Sequence, residues 1–180
     1  LYKTRDSLRV TIKNKEKNDF PISLYGLKDG EIVFKKWVEN IDKTKIIEIA
    51  RQDVDRLALN YEQKIPEFNQ RDNYKAVTKL FNKPLQLRLL QDIEDPKYSQ
   101  LFFMPEFNYN LYDGIAIGPK LYNKTVLSKT FNFSISPKYG FNSETIVGSA
   151  SVTNKHQFAN KELYAITYGI GGTRYSYGYN

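Results

Sequence analysis

Polar and apolar residues alternate along much of this chain, most regularly in its second half. Between residues 130 and 141 one side carries Phe131, Phe133, Ile135, Pro137, Tyr139 and Phe141. The other carries Asn132, Ser134, Ser136, Lys138 and Gly140. Successive side chains of a strand point to opposite faces, so the segment predicts a strand with one apolar and one small, polar face. The same period recurs in neighbouring segments over 96–180. Stretches of about 10 residues, separated by turns and with aromatic girdles, are the pattern of transmembrane barrels. The expectation is antiparallel amphipathic hairpins of an incomplete outer-membrane β-barrel. Phe131, Phe133, Ile135, Tyr139 and Phe141 are then expected to face lipid. Asn110-Leu111-Tyr112-Asp113-Gly114 reads as a tight periplasmic-side turn, with Asn110, Asp113 and Gly114 reversing the strands. Residues 120–130 and 154–162 then read as longer connections on the outer side.

The first half alternates in shorter runs. Leu8, Val10 and Ile12 face away from Arg9, Thr11 and Lys13, which predicts a half-buried strand over Ser7–Lys13. A polar turn over 14–19 leads to a second strand over 20–25, with Pro21 marking a strand start or an edge. Lys28-Asp29-Gly30-Glu31 predicts a hairpin turn, because Asp-Gly readily takes positive φ angles. Further strands are predicted over 31–38, 44–49 and 56–61. Five short strands with intervening turns suggest an immunoglobulin-like β-sandwich over residues 1–72. Its expected core is Leu8, Val10, Ile12, Leu24, Phe34, Trp37, Ile47, Ile49, Leu57 and Leu59. Residues 73–95 read as a linking strap with a short helix around 74–81.

Composition sharpens this division. Of the first 95 residues 35 are charged and 9 aromatic; of the last 85, 12 are charged and 17 aromatic. Such a shift marks a domain boundary with a change of environment near residue 95. The net charge is +7, but the first 95 residues hold 19 basic and 16 acidic side chains and the rest 8 and 4. The excess is spread over the chain and mixed with acids, which argues against a nucleic-acid partner. Cysteine is absent, which excludes disulfides and thiolate metal sites. No run of about 20 apolar residues exists, which excludes a transmembrane helix. The chain starts without Met and ends at Tyr179-Asn180 in a strand-like stretch, so it reads as an internal piece of a longer protein.

Candidate chemistry is sparse. His156 is the only histidine and is expected in a polar loop. Asp92, Glu94 and Asp95 lack the spaced ligands of a calcium loop and read as a solvated linker. Asp53 and Asp55, flanked by Arg51 and Arg56, read as a charge-balanced surface. Gly169, Gly171 and Gly172 sit in a Tyr-rich strand, not before a helix, so they form no phosphate loop. Trp37 could serve as a sugar-stacking platform, but a core position fits the strand better. No catalytic, metal-binding or cofactor-binding residue is therefore assigned.

Two resemblances add to this. Residues 8–14, 20–25, Asp29-Gly30, Trp37-Val38-Glu39 and Ile47-Glu48-Ile49 are followed by 55–60 and by Ile65-Pro66-Glu67-Phe68-Asn69-Gln70-Arg71-Asp72-Asn73. Together they resemble the β-sandwich behind the catalytic domain of bacterial gluzincin aminopeptidase-type metallopeptidases. The chain departs from that pattern at Glu67, where the family has Asp, and at Asn60-Tyr61, where it often has Asp-Pro. Residues 98–114, 117–123 and 135–148 are similar to surface-antigen-like outer-membrane barrels fused behind such modules. The resemblance implies a non-catalytic region that anchors a metallopeptidase-like parent in the Gram-negative outer membrane. Its N-terminal module would lie in the periplasm. The implied partners are the lipid bilayer and an upstream domain of the same protein or envelope subunits. The zinc motif His-Glu-x-x-His needs two histidines, so any zinc of the parent would lie upstream of Leu1. The alternative reading is a soluble all-β module that binds glycan or protein, with the aromatic strands packed into a second sandwich.

Overall fold

The computed structural model describes residues 1–15, 20–67, 69–127, 129–158 and 162–178. Those residues form an all-β protein with three sheets and no helix. The expected turn over 14–19 falls largely outside them, as do Phe68, Ser128 and the last two residues. The chain divides into two compact units, Leu1–Pro84 with Pro96–Tyr98, and Leu85–Asp95 with Ser99–Asn180.

In the first unit, β1 (Tyr2–Lys3), β2 (Ser7–Lys13) and β5 (Thr44–Ala50) form one sheet. The other sheet has the order β4 (Glu31–Val38), β3 (Ile22–Lys28), β6 (Arg56–Leu59), β7 (Tyr74–Ala76). All pairings here are antiparallel. Leu8, Ile12 and Ile49 from the first sheet and Leu24, Val38 and Leu57 from the second bury into one cluster, so both sheets share a core. Asp29 and Gly30 have φ of 48° and 96°. Two positive φ values in a two-residue loop make a type I′ turn, whose twist suits the flanking strands.

Trp37 does not enter that core; it is 49% exposed. Phe34 and Trp37 are three residues apart on one strand, so they point to opposite faces. Phe34 packs against the core cluster, and Trp37 pairs with Ser23 on the far side. There Lys35 lies 5.3 Å from the Trp37 ring and 5.2 Å from the Tyr25 ring.

The helix expected around 74–81 is absent. Tyr74 pairs with Ala58 and buries its ring beside Tyr61, 6.4 Å between centroids. The N–H groups of Val77 and Thr78 donate to the Asp55 carbonyl at 2.8 and 3.2 Å, so they serve a neighbouring loop instead of a helical turn. Asp55 is also not a surface residue. It is buried, accepts a hydrogen bond from the Asp29 N–H at 3.0 Å and has Arg56 and Lys79 within 3.4 and 3.5 Å. Its neighbour Asp53 stays exposed and pairs with Lys28 at 2.8 Å. The strap expected over 73–95 holds two strands, β7 and β8 (Leu85–Leu89).

Glu62 collects Lys35 at 2.8 Å, Lys64 at 2.7 Å and the Tyr25 hydroxyl at 2.8 Å. These partners, Lys35 foremost, hold its carboxyl at about 2 against an ordinary 4.5. A depressed carboxylate stabilises the fold above its unfolded value and loses that contribution as pH falls towards its folded one. Acid unfolding of the first unit should therefore steepen between about pH 4.5 and 2. Glu62→Gln is expected to flatten that limb, measured by near-UV circular dichroism against pH.

Candidate functional site

The second unit is one six-stranded sheet: β8, β9 (Ser99–Asn110), β10 (Gly114–Tyr122), β11 (Phe131–Gly140), β12 (Thr145–Gln157) and β13 (Ala165–Arg174), in chain order. Neighbours from β9 to β13 run antiparallel, and β8 runs parallel to β9. Residues directly opposite each other share a face. Register therefore shows whether the alternation in each strand adds up to a surface.

It does. Tyr109 pairs with Ile115, Phe107 with Ile117, and Phe103 with Leu121. Ile117 pairs with Tyr139 and Leu121 with Ile135. Tyr139 pairs with Ile146, Phe133 with Val152, and Val152 with Ile170. All of these lie on one face, and that face is open: Phe107 and Ile170 are each 80% exposed. Phe131, Ile135, Tyr139 and Phe141 are exposed on the same side, and Phe133 shares it with less exposure. β8 extends it, because Leu87 lies beside Leu101 and Leu89 beside Phe103.

The opposite face is mostly polar, apart from the buried rings of Phe102 and Tyr122, which pack 5.7 Å apart. Gly118 pairs with Glu106 and lies between it and Lys138 in register. Without a side chain there, Glu106 on β9 reaches Lys138 on β11 across the intervening strand, at 2.9 Å. A Cβ at Gly118 would lie 1.9 Å from the Pro137 carbonyl oxygen, so only glycine fits. Ser136 also hydrogen-bonds Glu106, and Lys120 lies 3.6 Å from it. On β8 the same face carries Gln86, which accepts a hydrogen bond from Gln100 at 3.1 Å.

No known protein family, curated protein or solved structure matches this chain.

The chain reverses between β9 and β10 over residues 111–113. Asn110 accepts from the N–H groups of Tyr112 and Asp113 at 2.9 and 2.7 Å and donates to the Asp113 carboxylate at 2.7 Å. Gly114 follows with φ of 66°. Asp113 also accepts from Ser143 at 2.7 Å and from the Ser176 N–H at 3.1 Å. These donors, Asn110 first, hold its carboxyl well below the usual carboxylate range. One buried carboxylate thus ties together the 111–113 turn, the 141–144 turn and the segment after β13.

His156 is not in a loop. It lies in β12 opposite Ile166, with its ring 4.6 Å from that of Phe158. β10 and β12 likewise run further than expected, to Tyr122 and Gln157. Among the described residues no group of three or more His, Asp or Glu side chains is placed to hold a metal ion. The sequence reading missed the Glu106–Lys138 pair and β8. It also missed a row of prolines: Pro119 pairs with Pro105 and falls opposite Pro137 in register. Three prolines at strand centres were a readable signal, since Pro is normally kept to edges and bulges.

Proposed function

We propose that residues 85–174 form part of the wall of an outer-membrane β-barrel that anchors this protein, with an immunoglobulin-like module ahead of it in the periplasm. The bilayer is the principal partner. The chain itself is non-catalytic and serves a metallopeptidase-like parent, through an upstream domain or envelope subunits.

The observation that carries this reading is the register. Apolar side chains from six strands fall in line on one exposed face, while the other carries ion-paired and hydroxyl side chains and one buried aromatic pair, Phe102 with Tyr122. Soluble monomers rarely expose a contiguous apolar patch beyond a few hundred Å². A soluble binding module would need the aromatic strands to close against a second sheet, whereas these six strands form one sheet with its apolar face exposed. The height of the band also fits. Phe131, Phe133 and Tyr168 lie towards one end, and Phe107, Tyr109, Tyr139 and Phe141 towards the other. From Phe131 to Tyr139 the strand advances by roughly 27 Å. At a tilt of ~40° this is a height of about 21 Å, close to the ~25 Å apolar band of outer-membrane barrels.

Flotation with phospholipid vesicles tests the proposal. The whole chain, diluted from detergent into vesicles, is expected to float with them and to resist carbonate extraction. Recovery as a monodisperse soluble species without detergent or lipid would favour the binding-module reading instead.

A further inference from the structure

The connections of the sheet sort by length onto its two ends. Residues 111–113 and 141–144 join strands at one end, and residues 123–130 and 158–164 at the other. The strap that leads into β9 belongs with the longer pair. The Val126 N–H donates to the Asp92 carbonyl at 3.3 Å, and Lys129 lies 4.0 Å from Glu94. The Asp95 N–H donates to Gln100 at 3.0 Å, at the start of β9. The short turns form the other rim, fastened by Asp113 to Ser143 and to the Ser176 N–H.

We infer that the strap around residues 92–95 and the connection 123–130 lie on one face of the membrane, and the short turns 111–113 and 141–144 on the other. This rests on the proposed barrel reading. The 12 residues of β9 suffice for one crossing, so its two ends lie on opposite sides. β8 has only five residues and is too short to carry the chain across a second time. With the module in the periplasm, the longer connections are periplasmic and the Asn110–Gly114 turn reaches the cell exterior. This reverses the expected placement of that turn and of the longer connections over 120–130 and 154–162, and with it the usual barrel arrangement of short periplasmic turns. A periplasmic module and a periplasmic 111–113 turn would require β9 to begin and end on the same side.

The absence of cysteine makes the test direct. Four single variants of the whole chain are produced in a Gram-negative host: Ile93→Cys, Lys124→Cys, Leu111→Cys and Asn142→Cys. Each replaces an exposed or loop residue away from the apolar face. Intact cells are treated with a maleimide that cannot cross the outer membrane, before and after permeabilisation. The expected result is labelling of Leu111→Cys and Asn142→Cys in intact cells, and of Ile93→Cys and Lys124→Cys only after permeabilisation. Labelling of Leu111→Cys together with Lys124→Cys under the same condition would overturn the inference, because it puts both ends of the sheet on one side. The exchanged pattern would keep the two ends apart but place the strap outside the cell, which overturns the periplasmic assignment. Recovery of all four variants in the soluble fraction would overturn the barrel reading itself, and this inference with it.

Discussion

Ile135→Arg is expected to impair insertion into bilayers by roughly 30- to 700-fold, while Ser134→Arg is expected to leave it largely intact. The two residues are adjacent near the middle of β11 and differ in depth by a single residue. Ile135 pairs with Leu121 and Ala150 on the apolar face; Ser134 pairs with Tyr122 and Ser151 on the polar face. An arginine near the middle of the lipid-facing side of a barrel costs about 2–4 kcal/mol. A tenfold change corresponds to about 1.4 kcal/mol, which gives the stated range. An arginine at position 134 would sit beside Tyr122 and Ser151, on the face that also carries the Glu106–Lys138 pair and away from lipid. Folding into vesicles from urea, followed by the heat-dependent gel shift of folded barrels, measures both variants. Equal tolerance would mean that the apolar face does not meet lipid.

The sequence reached the strands more readily than the site. Ser7–Lys13 and Glu31–Val38 have the bounds that their alternation suggests, because polar or turn residues bracket each run. Asp29-Gly30 marks its hairpin by backbone chemistry alone. β8 was lost because five alternating residues, Leu85-Gln86-Leu87-Arg88-Leu89, carry little signal inside a charged stretch, and their partner on β9 runs parallel. The Glu106–Lys138 pair could not be read along the chain. The residues are 32 positions apart on strands that are not neighbours in the sheet, and they meet only because Gly118 between them has no side chain. Tyr74–Ala76 became a strand because tertiary partners overrode local preference: Ala58 supplies the ladder and Asp55 takes the next two N–H groups. Asp55 itself looked like one of several surface acids. Its burial follows from pinning the Asp29 turn, which depends on contacts the alternation does not encode.

The largest stability effect expected in the first unit is from Leu57→Ala, and it should far exceed that of Trp37→Ala. Leu57 is buried on β6, between Gly26 of β3 and Lys75 of β7, and belongs to the cluster shared by both sheets. Deleting a buried leucine side chain removes its transfer free energy and leaves a cavity, which together cost about 2–5 kcal/mol. A domain holds only about 5–15 kcal/mol in total, so this change alone brings the unit near its unfolding threshold. Trp37 is the larger side chain and by composition the more obvious core residue. It points away from the cluster, and what it loses on truncation is half-exposed surface and a contact with Lys35. Exposed cation–π contacts contribute about 0.5–1 kcal/mol. The order of the two effects therefore tests which face of β4 is buried. Thermal melts of the whole chain in detergent, followed by near-UV circular dichroism, should show a drop of many degrees for Leu57→Ala and a few at most for Trp37→Ala. A larger loss from Trp37→Ala would place the indole in the core and invert the faces of β4, including the one that carries Lys35 to Glu62.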